Sequence, residues 1–345
     1  MLDLAQGVPL APLVTLELGG PARWFTEVDD GDALRECLAW ADARGIAAFV
    51  LGGGSNVVVA DEGFDGLVVR YVARGITIDA PSDRALVRAG AGEPWDALVE
   101  QTVAAGLAGL ECLSGSPGSV GATPIQNVGA YGQEVADTIA RVRVLDREQG
   151  SIDWWSPARC EFGYRTSAFK RAPNRHVVLA VEYALAEGGP RPIRYAELAR
   201  ALADAPSLAQ VRAAVLALRR SKSMVIEAAD PNRRSVGSFF TNPIVDSARA
   251  DAVMASTGDA TMPRWPTADG RTKLAAAWLI ERAGIAKGMR RGAVGVSTRH
   301  TLALVHHGGG TTRELLALAR EIRDCVRSRF EIELEPEPVM LGTAL

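Results

Sequence analysis

A glycine-rich, polar segment runs from Ser114 to Gly132 with the sequence SGSPGSVGATPIQNVGAYG. Its glycines, at positions 115, 118, 121, 129 and 132, alternate with serine, threonine, glutamine and asparagine. A polar loop of this length inside a compact domain is uncommon unless the loop binds something. We therefore expect a ligand-binding loop here rather than a long surface loop.

A second glycine cluster, LGGGSN at 51–56, follows a strand expected at 46–51. Consecutive glycines let backbone amides converge on an anion, as in phosphate-binding loops. In a Rossmann fingerprint a helix would begin after these glycines, whereas the valines at 57–59 indicate another strand. The Gly-Lys-Ser/Thr sequence of a Walker A loop is absent from the chain. Alone, the cluster is explained by a tight turn between strands. Together, the two loops predict a clamp for one large dinucleotide.

Composition limits the classes of partner. The 345 residues, 48% hydrophobic and 23% charged, are typical of a globular chain of two or three domains. A net charge of −3 gives no overall basic field, so we expect neither nucleic acid nor a membrane as partner. With no export signal and no apolar run of the roughly 18 to 20 residues that span a bilayer, we expect a cytoplasmic protein. Four scattered cysteines and four histidines, without C-x-x-C or H-E-x-x-H, predict reduced thiols and no metal site.

Hydrophobic periodicity predicts alternating helices and short strands in three modest domains, with an α+β character. The expected helices span 31–43, 94–105, 207–221, 247–256, 274–283 and 311–329. The expected strands span 46–51, 56–60, 66–71, 75–79, 85–89, 140–146, 150–154, 176–185, 238–245, 301–306 and 331–335.

Two further segments are more polar than their surroundings. FGYRTSAFK at 162–170 groups aromatic side chains with Arg165 and Lys170, a combination suited to a stacked and phosphorylated ligand. GSFFTNP at 237–243 sets Ser238 among aromatic residues. Residue type alone leaves simpler explanations open: a solvated face for Arg165 and Lys170, and a turn or strand edge for Ser238.

Taken together, five motifs resemble the UDP-N-acetylenolpyruvoylglucosamine reductase (MurB) family of peptidoglycan precursor enzymes. They are VLGGGSNVVV at 50–59, PGSVGATPIQNVGAYG at 117–132, FGYRTSAFK at 162–170, GSFFTNP at 237–243 and LEPEP at 334–338. Any one of them is a weak signal. The set is specific because it follows the family order over nearly the whole chain.

The resemblance implies a three-domain α+β protein with an FAD-binding fold of the vanillyl-alcohol-oxidase-like (PCMH) type and a separate α/β substrate-binding domain. The implied FAD-binding domains span 1–70 and 71–222, the substrate domain spans 223–337, and 338–345 return to the first domain. FAD would be non-covalent, because no histidine lies between positions 1 and 175 to tether it. The implied cofactor-binding residues are Gly52, Gly53, Gly54, Ser55, Asn56, Ser116, Pro117, Gly118, Ser119, Gly121, Ala122, Gln126 and Asn127.

The implied reaction uses NADPH to reduce FAD, after which hydride passes to the enolpyruvyl C3 of the UDP-sugar and a proton is added at C2. By the same resemblance Ser238 donates that proton, while Arg165 and Glu337 polarise the enolpyruvyl carboxylate. The chemistry is consistent with physical expectation, because charge arriving on a carboxylate must be spread over preorganised donors. With no histidine near these motifs, a hydroxyl in a charged network is a plausible acid.

The resemblance also implies substrate contacts at Tyr164, Tyr195, Lys222 and Asn242. Tyr195 lies in PIRYAEL at 192–198, which is similar to a segment that closes over the substrate in one group of the family. Thr241 replaces a lysine found in many relatives, so no contact can be assigned to that side chain. The turn HHGGG at 306–310 is explained by a strand-to-helix connection.

Two alternatives to the reductase stay open at this point. An FAD-dependent sugar or alcohol oxidase would share the fold, although the GSFF serine and the LEPEP acid argue against it. A nucleotide-sugar-binding sensor without catalysis is disfavoured because both Arg165 and Glu337 are present. We expect a monomer whose partner is a small UDP-sugar.

Overall fold

The computed structural model describes residues 2–79 and 84–345. Its strands are β1 (Ala5–Pro9), β2 (Pro21–Val28), β3 (Ala48–Leu51), β4 (Val57–Val59), β5 (Phe64–Tyr71), β6 (Ile76–Asp79), β7 (Arg84–Gly90), β8 (Leu107–Ala108), β9 (Gly129–Ala130), β10 (Gln133–Glu134), β11 (Ile139–Asp146), β12 (Ser151–Trp155), β13 (His176–Glu187), β14 (Ile244–Val245), β15 (Arg264–Pro266), β16 (Thr272–Leu274), β17 (Arg290–Arg291), β18 (Val294–Val296), β19 (Leu304–His306) and β20 (Val339–Leu341).

The α-helices are α1 (Gly31–Asp42), α2 (Trp95–Ala104), α3 (Pro157–Cys160), α4 (Ala168–Arg171), α5 (Ala196–Arg200), α6 (Leu208–Ser221), α7 (Ser247–Thr257), α8 (Ala276–Arg282) and α9 (Thr312–Phe330). Single 3₁₀ turns span Ala11–Leu13, Glu111–Leu113, Val120–Ala122 and Val135–Asp137. Among the described residues, none of these helices is both long enough and apolar enough to cross a membrane.

Helix α9 shows how the sequence defines an element. It begins with a capping box, in which the Thr311 hydroxyl accepts from the Glu314 N–H (3.1 Å) and the Glu314 carboxylate accepts from the Thr311 N–H (2.8 Å). Leu315, Ile322 and other apolar residues at helical spacing are buried along one face. The helix ends at Glu331, which adopts a left-handed φ of 54°.

The chain forms two compact units, and the described residues of unit 1 come from Met1–Val8, Ala22–Gly54 and Phe64–Ile226. One of its sheets has the order β1-β2-β5-β3, in which β2 and β3 both pair with β5 in parallel. A larger antiparallel sheet has the order β12-β11-β13-β7-β6, with β8 also pairing with β13. This unit therefore combines a parallel αβ layer with an antiparallel sheet.

The core of unit 1 fills the space between these sheets and helices α1 and α2. Leu34 from α1, Leu67 from β5, Trp95 and Leu98 from α2 and Tyr183 from β13 are completely buried. Each such side chain contributes roughly 1.5–3 kcal/mol through burial of apolar surface. The Trp95 indole N–H donates to the Leu113 carbonyl oxygen (3.1 Å), so its polar group is satisfied inside the core.

Unit 2 comprises Pro9–Pro21, Ser55–Gly63 and Glu227–Leu345. Its strands form three small sheets, β4-β20, β14-β16-β15 and β17-β18-β19, and β20 pairs with β4 in parallel. Helices α7, α8 and α9 surround a core that includes Phe239, Phe240, Leu279 and Ile322. The segment after residue 337 thus pairs with residues 57–59.

The three-domain division with boundaries at 70 and 222 stays a prediction.

The structure corrects two expected strands. The prediction for 238–245 is wrong over most of its length, because only β14 is a strand and Ser238 and Phe240 form single bridges with Ala303 and Pro336. The prediction for 331–335 is also wrong, since those residues form no strand. Strands β1 and β2 were not expected at all. The remaining predicted helices and strands are present with ends shifted by a few residues.

The turn at 306–310 connects β19 to α9, as expected. His306 is buried, with Nδ1 3.1 Å from the Leu16 carbonyl oxygen and Nε2 accepting from the Gly310 N–H (3.1 Å). Because Nε2 is an acceptor here, the ring hydrogen lies on Nδ1 and is donated to Leu16. His306 therefore anchors the turn through both of its ring nitrogens.

Candidate functional site

The two glycine loops meet within unit 1. A Cβ placed on Gly52 would lie 2.7 Å from the Ser119 hydroxyl oxygen, and one on Gly53 would lie 2.8 Å from the Gly118 Cα. Such distances are not compatible with a side chain, so only glycine permits this approach. Gly54 is buried and has a φ of 66°, which also favours glycine. The expectation that these loops come together is therefore met at Gly52 and Gly53, which approach Gly118 and Ser119.

The second loop is fixed by backbone hydrogen bonds to the elements around it. The Trp95 N–H donates to the Gly118 carbonyl oxygen (3.0 Å), and the Gly121 N–H donates to the Ala91 carbonyl oxygen (2.9 Å). At the start of the loop the Gly115 N–H donates to the Asp96 carboxylate (2.6 Å), which also receives two hydrogen bonds from Arg212 (2.6 and 2.8 Å). The loop is therefore rigidly connected to α2 and α6.

Side chains of this loop divide into two groups. Ser116 and Ser119 are buried, and their hydroxyls make no hydrogen bond within the described chain. Pro117 is exposed, and Ala122 and Gln126 are partly exposed. Asn127 instead uses its amide internally. Its Nδ2 donates to the Glu134 carboxylate (2.7 Å) and the Gly163 carbonyl oxygen (3.1 Å), and its Oδ1 accepts from the Ala136 N–H (3.2 Å). A direct ligand contact for Asn127 stays a prediction.

A cleft of about 110 Å³ lies beside the paired loops in unit 1. Glycine and serine line it on the loop side, through Gly52, Ser119 and Gly121. Elsewhere its lining is mostly aliphatic or aromatic: Val50, Leu51, Tyr71, Ala91, Ala122, Ile125, His176, Val177 and Val178. An apolar cleft with a few convergent polar groups is the usual form of a small-molecule site.

Tyr164 and Arg165 form the tip of a tight turn. Gly163 and Thr166 exchange backbone hydrogen bonds (3.0 and 3.3 Å), which leaves Tyr164 and Arg165 at the centre of the turn, and Arg165 has a left-handed φ of 52°. The Arg165 guanidinium donates to the Gly129 carbonyl oxygen (2.8 Å), inside the second glycine loop. Non-glycine residues in this conformation are uncommon and often mark functional positions.

Tyr195 and Lys222 belong to one cluster with Tyr131 and Glu197. The Tyr195 ring is 40% exposed and packs edge-on against Tyr131, with centroids 5.3 Å apart. Lys222 Nζ donates to the Glu197 carboxylate (2.6 Å) and lies 5.8 Å from the Tyr131 ring centre. Burial raises the pKa of Tyr131 to about 12, so its hydroxyl stays protonated. Sequence reasoning missed Tyr131 and Glu197, although Tyr131 lies inside the glycine-rich segment.

Unit 2 brings Ser238, Glu337 and Asn56 together. The Glu337 N–H donates to the Phe239 carbonyl oxygen (2.9 Å) and the Thr241 N–H donates to the Glu335 carbonyl oxygen (3.0 Å), so 239–241 and 335–337 run antiparallel. Asn56 receives the Val339 N–H on its backbone carbonyl (2.9 Å), and its Nδ2 lies 3.4 Å from the Glu337 carbonyl oxygen. Ser238 is partly buried, and its hydroxyl makes no hydrogen bond within residues 2–79 and 84–345.

The side chain of Asn242 contacts the N-terminus of helix α8. Its Oδ1 accepts from the Ala276 N–H (2.9 Å), the first residue of α8. That oxygen therefore supports the helix terminus, while a substrate contact through the rest of the amide stays a prediction. Within the part of the chain that the structure describes, no group of three or more histidine, cysteine, aspartate or glutamate residues is placed to hold a metal ion.

Comparisons with known proteins agree with this geometry. Residues 23–155 match the model of an FAD binding domain, and residues 230–341 match the C-terminal domain of UDP-N-acetylenolpyruvoylglucosamine reductase. The reductase of that name from Thermobifida fusca is 51% identical to this chain, over 99% of this chain and 99% of its own length. The one from Saccharopolyspora erythraea is 50% identical, over 98% of this chain and 96% of its own length. The chain belongs to the UDP-N-acetylenolpyruvoylglucosamine reductase family. A solved structure of the Thermus caldophilus enzyme of that family has a TM-score of 0.69 at 26% identity, covering 99% of this chain and 100% of that one.

The residues of unit 1 fit the FAD that the matched domain model implies. The glycines at 52, 53 and 118 leave the loop backbones free of side chains where a pyrophosphate would approach the amides. The adjoining cleft offers an aliphatic lining to a planar ring. The mixed helix and strand content also confirms the expected α+β fold class.

Proposed function

We propose that this protein reduces the enolpyruvyl group of UDP-N-acetylglucosamine enolpyruvate to UDP-N-acetylmuramate, with bound FAD and with NADPH as co-substrate. The observation that carries the proposal is the Glu337–Phe239 backbone hydrogen bond, which holds the LEPEP segment against the segment that carries Ser238. The Ser238 hydroxyl is partly buried and makes no hydrogen bond in the described chain. An available hydroxyl of this kind suits proton donation to a substrate carbon.

FAD is held, in this proposal, by the backbone amides of Gly52–Gly54, Ser55 and Asn56 and by the loop from Ser116 to Asn127. When bound, FAD would accept a hydride from NADPH and pass it on to the substrate double bond. The attachment is non-covalent. The glycine approach at Gly53 and Gly118 supports this role, because it presents two loop backbones without intervening side chains.

Ser238 donates the proton that completes the reduction at C2. Arg165 contributes a permanent positive charge, and Glu337 contributes a carboxyl group, to the side of the substrate where negative charge accumulates. Preorganised groups aimed at developing charge commonly supply the largest part of a rate enhancement. The Arg165 guanidinium is partly preorganised here, since it already donates to the Gly129 carbonyl oxygen at 2.8 Å.

Tyr164, Tyr195, Lys222 and Asn242 bind the UDP-sugar in this proposal. The exposed Tyr195 ring can close on the nucleotide sugar, and Lys222 offers its ammonium to the diphosphate in exchange for its present bond to Glu197. We further propose that the protein works in the cytoplasm as a monomer in peptidoglycan precursor synthesis, without nucleic acid or a membrane as partner.

The test follows absorbance of the purified protein without oxygen. A flavin spectrum, bleaching by NADPH and recovery on adding the enolpyruvyl UDP-sugar are the expected results. Absence of flavin would overturn the proposal. Recovery with oxygen but not with the UDP-sugar would favour the oxidase of the same fold, and equal bleaching by NADH would overturn the assignment of NADPH as the preferred co-substrate.

A further inference from the structure

Lys170 lies on helix α4, five residues after Arg165, and is partly buried. Its Nζ donates a hydrogen bond to the main-chain carbonyl oxygen of Arg165 (3.1 Å). Among the residues that the structure describes, no carboxylate forms an ion pair with this ammonium. A lysine ammonium is strongly hydrated and is seldom taken out of water without a partner. The Arg165 carbonyl is therefore the partner that defines where the Lys170 side chain lies.

The backbone of Lys170 is fixed by its neighbours on α4. The Lys170 N–H donates to the Ser167 hydroxyl (3.3 Å), and that hydroxyl donates to the Ile125 carbonyl oxygen (2.5 Å) in the glycine-rich segment. Phe169 is 3% exposed, and its ring is stacked on Trp155 with centroids 5.5 Å apart. The Lys170 ammonium is therefore attached to a backbone that is held by the core of unit 1.

The turn that receives this bond has an unfavourable backbone conformation. Arg165 has a left-handed φ of 52°, in which the side chain of a non-glycine residue lies too close to its own carbonyl oxygen. Two backbone bonds between Gly163 and Thr166 close the turn, but the Arg165 carbonyl takes part in neither of them. The Lys170 ammonium holds this carbonyl, and a hydrogen bond from a charged donor is stronger than one between neutral groups.

The conformation at Arg165 decides where its guanidinium lies. Rotation about the N–Cα bond moves the side chain relative to the preceding residues, so the left-handed φ determines whether the guanidinium reaches the Gly129 carbonyl oxygen (2.8 Å). Asn127 holds the first residue of the turn to the same glycine-rich segment, because its Nδ2 donates to the Gly163 carbonyl oxygen (3.1 Å). A turn that relaxed to a negative φ would therefore carry the guanidinium away from Gly129.

We propose that Lys170 is a positioning residue for Arg165: its ammonium holds the left-handed turn, so that the Arg165 guanidinium is in place before the substrate carboxylate arrives. The inference rests on the role of Arg165 in the proposed function and adds a second residue to it. Lys170 acts through the main chain of Arg165 and has no contact of its own with the substrate. Groups held in place before binding need no rearrangement during the reaction, which is the source of their effect on rate and affinity.

The experiment compares two ligands that differ at the carboxylate that Arg165 meets. UDP-N-acetylmuramate has a lactyl group that carries this carboxylate, and UDP-N-acetylglucosamine lacks the lactyl group. Titration calorimetry of the full chain with its flavin gives a dissociation constant for each. The wild type should bind UDP-N-acetylmuramate roughly 10- to 100-fold more tightly, the effect of one hydrogen bond between charged groups.

Substitutions of Lys170 test whether this affinity ratio depends on its ammonium. Lys170→Met removes the donor and keeps the length of the side chain. It should lower the ratio by about three- to tenfold, because fewer molecules have the Arg165 turn in the binding conformation. Lys170→Arg should keep most of the ratio, since a guanidinium can donate to the same carbonyl. Lys287→Met is the matched control and should keep the wild-type ratio, because Lys287 is 48% exposed in unit 2 and pairs with Glu281 (3.4 Å).

Arg165→Met separates positioning from direct contact. This variant should have a low ratio, and adding Lys170→Met to it should leave the ratio there, because the two residues act through one group. A further fall in the double variant would mean that the ammonium contacts the ligand itself and would overturn the positioning role. A general structural role of Lys170 would lower the stability of the protein and leave the ratio unchanged, which also overturns the inference.

The same measurements distinguish failure of this inference from failure of the proposed function. If the wild type shows no preference, or if Arg165→Met keeps it, the role of Arg165 in the proposed function fails and the inference fails with it. If Arg165→Met lowers the ratio and Lys170→Met does not, the proposed function stands and the inference alone is overturned. Should Lys170→Met fail to fold, Lys170→Ala is measured against the same criterion.

Discussion

Glu337 donates its backbone N–H to the carbonyl oxygen of Phe239 at 2.9 Å, and this bond holds the backbone of Glu337 against the residue that follows Ser238. A second backbone bond, from Thr241 to Glu335 (3.0 Å), fixes the register of the two segments. These two bonds therefore hold residues 239–241 and 335–337 against each other. Phe239 and Phe240 are completely buried next to them, which anchors the segment in the core of unit 2.

Replacing Ser238 with Ala should separate the two half-reactions. NADPH should still bleach the flavin absorbance, because that step needs no proton from the hydroxyl. Recovery of the absorbance on mixing with the enolpyruvyl UDP-sugar should slow by at least the ~10²–10⁴-fold typical of losing a general acid. Stopped-flow absorbance without oxygen measures both steps.

Ser328→Ala is the matched control, since Ser328 is exposed on α9 and its hydroxyl makes no hydrogen bond within the described residues. This variant should recover at the wild-type rate. Wild-type recovery in Ser238→Ala, or a defect confined to bleaching by NADPH, would show that Ser238 has a structural role only. Arg165 and Glu337 variants should slow the same step as Ser238→Ala, and their effects should not add to it.

Gly53→Val should release FAD from the protein. Its Cβ would lie 2.8 Å from the Gly118 Cα, a backbone atom that cannot turn aside, so the two glycine loops must separate. The ratio of flavin absorbance to protein absorbance after purification measures the loss. Gly189→Val is the matched control, because a Cβ there meets no atom within 4 Å. A Gly53→Val protein with full flavin content would show that the loop is only a turn.

The two glycine loops were predictable because glycine spacing is itself a local signal for close backbone approach. The absence of a strand over most of 238–245 was not predictable, since the segment is held by single bridges from Ser238 to Ala303 and from Phe240 to Pro336, both far away in the sequence. Similarly, the pairing of Tyr131 with Tyr195 and of Lys222 with Glu197 depends on tertiary packing that no local pattern encodes. The motifs predict candidate site residues, and only the fold supplies their neighbours.

Tyr195→Ala should weaken binding of the UDP-sugar while leaving bleaching by NADPH nearly unchanged. Tyr195 precedes α5 and follows Pro190 and Pro192, so the segment can move as a stiff unit. The variant loses the edge-on contact with Tyr131 at 5.3 Å, whereas Tyr195→Phe keeps that ring contact and should bind more tightly than the Ala variant. Titration calorimetry with UDP-N-acetylmuramate measures the affinity, and equal loss in both half-reactions would contradict the proposed closing role.

Unit 1 should lose stability in mild acid through Glu182. This carboxylate is 5% exposed and accepts from Arg141 (2.7 and 3.1 Å) and Arg88 (3.2 and 2.9 Å). Burial alone would raise the pKa of Glu182, but the two guanidinium groups outweigh it and lower the pKa. The folded protein therefore binds this proton less readily than the unfolded chain. The stabilisation is present above the unfolded pKa of about 4.3 and is lost as the pH falls through the folded pKa.

Urea unfolding at pH 7 and near pH 3 measures the effect. At pH 7, Glu182→Gln should lower the free energy of unfolding by about 1.5–3 kcal/mol, the range for hydrogen bonds to charged groups, and the difference from wild type should shrink near pH 3. The matched control is Glu27→Gln, because the Glu27–Arg70 pair is 46% and 40% exposed and should contribute less than about 1 kcal/mol. A Glu182→Gln deficit that stays constant across this range would mean that the lost stability comes from packing around the side chain and not from its charge.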